Sequence, residues 1–158
     1  MQDDTYRDIS YCGLYCPLCA DRNRIPPQAR ALQDTLKEEG WESFGNYVFP
    51  EFDAFWRVLS QLTDPQRVCP GCRAGGGPPT CRIRHCAQDR GVRVCVECSD
   101  YPCEHIQQLS HIYPRLIPDG RRLAACGIER WVEEQEKRRT RGFAYSDTRY
   151  PRADDPPW

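Results

Sequence analysis

Ten of the eleven cysteines in this 158-residue chain fall into groups whose spacing suits thiolate chemistry. The first group is "YCGLYCPLC", which reads Cys12-x3-Cys16-x2-Cys19. There follow Cys69-x2-Cys72 in "CPGC", Cys81-x4-Cys86, Cys95-x2-Cys98, and Cys103 after four further residues. A C-x2-C step turns tightly enough to bring both sulfurs to about 2.3 Å from one metal, and it leaves backbone N–H groups to donate to the thiolates. One such step is weak evidence. Two of them, with three further groups in one small chain, point to metal.

The other uses of these thiols fit less well. The N-terminal "MQDDTYRDIS" has neither the basic nor the apolar region of a secretory signal, so a cytoplasmic chain is expected. Disulfides there would face a reducing environment, and an odd number of cysteines leaves one over. Thioredoxin-like exchange expects a single active pair in a βαβ unit, which the pattern does not provide. The opening C-x3-C-x2-C also matches the arrangement of radical-SAM enzymes. Their barrel, however, takes about 200 residues or more of repeating β/α units, and this chain has neither the length nor the alternation. No Gly-rich phosphate loop and no Ser/His/Asp arrangement stands out, so catalysis is not the expected role.

Spacing does not separate zinc from a [4Fe–4S] cluster. Two four-sulfur sites use eight of the ten grouped cysteines. Three would need twelve ligands, a number reached only with His85, beside Cys86, and His105, two residues beyond Cys103. His111 has no cysteine near it, and Cys126 in "LAACG" reads as a small hydrophobe. Within the first group, Cys12, Cys16 and Cys19 are expected to share a centre completed by a distant ligand.

The elements that position these thiols are mainly helical. Hydrophobic content is 39%, below the usual 45–50% or so, so a modest apolar core is expected. Ala29, Leu32 and Leu36 recur at helical spacing behind Pro26-Pro27, and Gly40 ends that run. Phe52, Phe55, Trp56, Leu59 and Leu62 form one helical stripe, stopped at Asp64-Pro65 and expected to pack in the core. "CPGCRAGGGPPTC" is a loop. "CRIRHCAQDRG" predicts a short helix ending at Gly91, and "VRVCVEC" a short strand entering a knuckle. Helices are expected over "CEHIQQLSHIY" and on both sides of Gly127. The architecture predicted is small α+β, mostly α-helical and metal-stabilised, with short β pieces at zinc-knuckle-like turns. It is read as one domain over 1–141 with a Pro-rich tail at 142–158.

The formal net charge of −1 conceals an uneven distribution. Residues 1–66 carry 6 basic and 11 acidic side chains, whereas 67–93 carry six arginines against Asp89 alone. This basic block is read first as counter-charge to thiolate–metal centres, since four thiolates on Zn²⁺ leave −2. The alternative is phosphate contact, hence nucleic-acid binding. No stretch approaches the 18 or so apolar residues of a membrane span.

Taken together, "CGLYCPLC", "CPGCR", "CRIRHCAQDRGVRVCVECSDYPCEHI" and "GIERWVEEQEKR" resemble the family catalogued as domain of unknown function 3795, over residues 9–139. The resemblance implies a metal-binding domain whose ligands are Cys12, Cys16, Cys19, Cys69, Cys72, Cys81, Cys86, Cys95, Cys98 and Cys103. It supplies no reaction. Many relatives continue into a further "CPKCG"-type knuckle, which "RRTRGFAYSDTRYPRADDPPW" lacks. The reading is a zinc protein with two sites, or three with histidine help, that serves as a binding module for a protein partner. An iron–sulfur protein and a nucleic-acid binder through 67–93 are the alternatives.

Overall fold

The computed structural model describes residues 4–149. Its elements are ten α-helices and four single 3₁₀ turns among the described residues, and they fall into two compact units.

One unit runs from Ala20 to Pro70. Within it, α1 (Ala20–Asn23) leads into α2 (Ile25–Glu38), where Pro26 and Pro27 occupy the first turn without losing a hydrogen bond. Gly40 takes a left-handed conformation (φ 76°) between α2 and α3 (Trp41–Val48). Next come α4 (Phe52–Leu62) and α5 (Pro65–Val68), the latter capped by Asp64, whose carboxylate accepts the Gln66 amide at 2.9 Å. Gln33 Nε2 donates to Ser60 Oγ at 2.7 Å, pinning α2 to α4. Phe52 and Leu59 are buried as the stripe predicts, but Phe55 on the same stripe is 44% exposed.

The other unit comprises the chain up to Cys19 and from Gly71 onward. It contains α6 (Arg82–Asp89), α7 (Glu104–Ser110), α8 (Leu116–Cys126), α9 (Ile128–Thr140) and α10 (Ser146–Arg149). Its main core gathers Ile9, Tyr15, Leu18, Val94, Leu123, Trp131 and Tyr145. Trp131 is wholly buried; its indole N–H donates to the Asp119 carbonyl at 2.9 Å, and its ring meets Tyr15 edge-on at 5.8 Å. The Tyr15 hydroxyl in turn donates to Glu136 Oε1 at 2.8 Å, so each polar tip has a partner, the condition for burying such large aromatics at little cost. Where the sequence reading places a tail, Ala144 and Tyr145 are buried, and the Tyr15 amide donates to Tyr145 Oη at 2.9 Å. Residues 150–158 of that tail, Tyr150 and Trp158 included, lie outside the described residues.

The α+β expectation is corrected. Among the described residues there is no sheet; a lone antiparallel bridge between Ile9 and Tyr15 is the extent of β pairing. In "VRVCVEC" Val94 and Cys98 are extended, but Cys95–Glu97 between them closes as a 3₁₀ turn. A three-residue alternation with no partner strand cannot form a ladder, so the backbone satisfies itself locally. The Cys16–Cys19 and Cys95–Cys98 steps are therefore 3₁₀ turns, Cys69–Gly71 is irregular up to the turn that starts at Cys72, and the class is all-α. The metal-stabilised part of that expectation is not seen either: among the described residues no group of three or more His, Cys, Asp or Glu is placed for an ion, and an apolar core gathers this unit. Among the described residues no helix is long and apolar enough to cross a membrane.

Candidate metal centre

Local geometry explains how the cysteines are presented. Residues i and i+3 eclipse in a 3₁₀ turn. In Cys16–Leu18 and in Cys95–Glu97 the turn closes on the following cysteine, with the Cys19 amide donating to the Cys16 carbonyl and the Cys98 amide to the Cys95 carbonyl, each at 3.0 Å. Cys81 and Cys103 sit immediately before α6 and α7, and Cys86 lies within α6. All eleven cysteines are half-buried free thiols.

Cys86, Cys95, Cys98 and Cys103 line one cleft of about 190 Å³, together with Arg90, Asp100, Tyr101 and His105. Beneath it lies a second apolar cluster of Ile83, Ile106 and Leu116, against which Cys12, Cys81, Cys95 and Cys103 pack. Burial pushes the Cys95 thiol up to about 12, and negative charge on Cys12, Cys103, Cys86 and Cys98 adds to the effect. Cys12 is pushed up to about 11, again chiefly by burial. The Ser10 hydroxyl, 3.0 Å from its sulfur, and a Leu14 backbone hydrogen bond pull it back, while Cys72 and Cys81 raise it further. The Cys12 and Cys95 thiols are therefore costly to ionise without a cation, and a bound metal would supply one.

One cation is already present. Arg90 Nη1 donates to Cys98 Sγ at 3.3 Å and to Asp100 Oδ2 at 2.6 Å. That pair raises the Arg90 guanidinium and lowers the Asp100 carboxyl, each through the hydrogen bond to the other. Arg90 is thus held beside the Cys98 sulfur.

Four of the other five arginines of that block also have partners within the protein. Arg73 Nε donates to the carbonyls of Tyr6 (2.7 Å) and Ile9 (2.8 Å), and its Nη2 to that of Arg93. Arg84 Nη2 donates to Gly76 O at 2.7 Å and Pro78 O at 3.0 Å; Arg93 pairs with Glu97 at 2.8 Å, and Arg67 faces Asp64 at 4.0 Å.

The histidines separate. His105 lines the cleft, whereas His85 is exposed, with Nε2 3.2 Å from the Pro79 carbonyl. Cys126 packs against the main core, as a small hydrophobe does. Cys16 and Cys19 bracket their own turn, and Cys69 follows α5 in the 20–70 unit. Among the described residues no group of three or more His, Cys, Asp or Glu side chains is placed to hold a metal ion. The fit to a metal therefore rests on the donor set: four thiols around one cleft with a guanidinium beside them. Sequence reasoning missed Tyr101 and the Arg90–Asp100 pair, for no spacing rule links a tyrosine or an ion pair to a thiol cleft.

The family model described as "Protein of unknown function (DUF3795)" matches residues 8–108, close to two thirds of the chain. The match spans every grouped cysteine and ends before the "GIERWVEEQEKR" stretch. No curated protein and no solved structure matches the chain.

Proposed function

The chain belongs to the DUF3795 family, whose function is unknown, and we propose that it is a thiolate metal-binding protein with one centre held by Cys86, Cys95, Cys98 and Cys103. The observation that carries this reading is the convergence of those four thiols on one cleft. Two come from a C-x2-C turn, one from within α6 and one from the residue preceding α7.

Zinc is the ion this donor set suits, because four thiolates satisfy its tetrahedral preference with no open position. Arg90 then offsets part of the −2 charge, and His105 stands by as an outer hydrogen-bond partner. A [4Fe–4S] cluster is the competing occupant, favoured by one observation: a 190 Å³ cleft is roomy for a single ion. Four thiolates serve that cluster equally well. In either case the protein's own residues bind and shield the metal, and the role is that of a binding module rather than an enzyme. A reducing cytoplasm suits such thiols. Nucleic-acid binding draws no support from the basic block, since five of its six arginines are engaged within the protein.

Anaerobic purification followed by elemental analysis and absorption spectroscopy distinguishes these outcomes. Stoichiometric zinc in a colourless protein supports the first occupant, and iron with sulfide and a brown colour the second. Protein that carries neither metal, and takes up neither Zn²⁺ nor Co²⁺ when reduced, contradicts the proposal.

A further inference from the structure

The 20–70 unit carries a feature unrelated to thiol chemistry. Of the eight large apolar side chains most open to solvent, seven lie between Leu32 and Val58. Leu32 and Leu36 of α2, Trp41 of α3, Phe49, and Phe52 and Phe55 of α4 line a single cleft of about 300 Å³. Its floor is fixed. Phe52 is buried, with its ring centroid 5.8 Å from Trp41 and 5.6 Å from Trp56, and Gly45 lets that ring lie directly on the α3 backbone. Its walls stay open, with Phe49 57% and Leu32 47% exposed. At the small end of the roughly 300–1,000 Å³ range of ligand pockets, it has room for a few side chains.

Charge identifies the ligand. Residues 34–53 carry Asp34, Glu38, Glu39, Glu42, Glu51 and Asp53 against Lys37 alone. All six acids are exposed, and no ion pair among the described residues engages them. An apolar cleft whose lining residues are flanked along the chain by these acids, an acidic collar in sequence, complements a helix with apolar anchors on one face and Lys or Arg around them. A second copy of this chain is a poor donor of that charge, because its basic block is committed internally. An anionic membrane surface would be repelled.

We propose that this cleft is the docking groove for a basic amphipathic helix of a different protein. Apolar anchors spaced i, i+3/i+4 and i+7 fill the space between α2 and α4, and the collar sets the sign of the partner's charge. This assignment is independent of any metal.

The test uses the full-length chain and two 18-residue peptides with the same leucine spacing, one with lysine and one with glutamate at the remaining positions. Titrations are followed by tryptophan fluorescence, with Trp41 and Trp56 as reporters. The lysine peptide is expected to bind saturably at one per chain and to weaken as salt rises from about 0.05 to 0.5 M, as the Debye length shrinks. The glutamate peptide should bind at least about tenfold more weakly. Phe49→Ser and Phe55→Ser, at open positions, should each weaken the lysine peptide by about tenfold or more with unchanged circular dichroism. The double variant Glu42→Gln/Glu51→Gln should remove part of the salt dependence. Equal binding of both peptides, absence of saturable binding, or full retention by both serine variants overturns the proposal. So does a concentration-dependent dimer in light scattering that Phe49→Ser abolishes, or binding to phosphatidylcholine vesicles in place of the peptide.

Discussion

Replacing Arg73 tests how the segments around the thiols are tied together. Its guanidinium reaches three carbonyls, those of Tyr6, Ile9 and Arg93, and lies 4.4 Å from the Tyr11 ring centroid. The loop that carries Cys72 is thereby fastened both to the segment before Cys12 and to the one before Cys95. Hydrogen bonds from a charged donor contribute about 1.5–3 kcal/mol each, and a cation–π contact in a partly open site about 0.5–1. Arg73 is half-buried, so water can reclaim part of what is lost. Arg73→Ala should therefore cost about 2–4 kcal/mol, well below the sum of its contacts. Arg73→Lys keeps the charge, but a point ammonium cannot span three carbonyls as a planar fork does, and about 1–2 kcal/mol should go. Arg67→Ala, whose pair with Asp64 is exposed at 4.0 Å, should stay within about 0.5 kcal/mol of the unsubstituted protein. Urea unfolding followed by far-ultraviolet circular dichroism measures all three. If both Arg73 variants fall as close to the unsubstituted protein as Arg67→Ala does, the role given to Arg73 as a tie is refuted.

Three further outcomes are expected. Gly120 in α8 lies so close to the Tyr101 hydroxyl that an added Cβ would overlap it, so Gly120→Ala should lower stability by about 1–3 kcal/mol in spite of its better helix propensity; a gain in melting temperature would contradict that packing. Asp119 is buried and accepts Arg138 Nη1 at 2.7 Å and Arg115 Nη2 at 3.4 Å, so Asp119→Ala should cost about 3 kcal/mol or more in denaturant unfolding, whereas a loss under 1 would argue against the pair. Burial holds Cys12 and Cys95 protonated up to about 11 and 12, above their ordinary value of 9.0, so the unfolded chain gives up these protons first as pH rises. Their contribution to the stability of metal-free protein should thus be constant below about pH 9 and shrink between about pH 9 and 11, by about 1.4 kcal/mol per pH unit for the buried Cys12 and less for the more open Cys95, checked by unfolding at pH 8 and 10; a rise across that interval would reverse the sign.

Local signals carried much of the helical layout. Pro26-Pro27 mark the first turn of α2 through φ restriction, and Gly40, Gly91 and Gly127 follow helix ends with positive φ, properties a single residue imposes. The helix over Trp41–Val48 was invisible, because its Gly45 reads as a breaker until Phe52 is seen filling the space that a side chain would occupy. The strand expected at "VRVCVEC" failed because alternation specifies a strand only where a partner exists, and none follows in sequence. Phe55 fitted a core stripe by period alone, and periodicity cannot tell a face turned to a core from one left open for a partner. At the site, the spacing showed which thiols belong to local turns. It did not show that Cys86 and Cys103 join the Cys95–Cys98 pair, since that depends on how α6 and α7 pack through Ile83 and Ile106. Nor did it distinguish His105 from His85.

Metal counting on cysteine variants tests the proposed centre most directly. The unsubstituted protein, Cys95→Ser, Cys98→Ser and the double variant are purified without oxygen, and bound zinc and iron are measured per chain. If the four cleft thiols hold one centre, each single variant loses the same metal complement, one zinc or one four-iron cluster, and the double variant loses no more than either single one. Full retention of metal by both single variants, or losses that add in the double variant, would contradict a shared centre at Cys86, Cys95, Cys98 and Cys103.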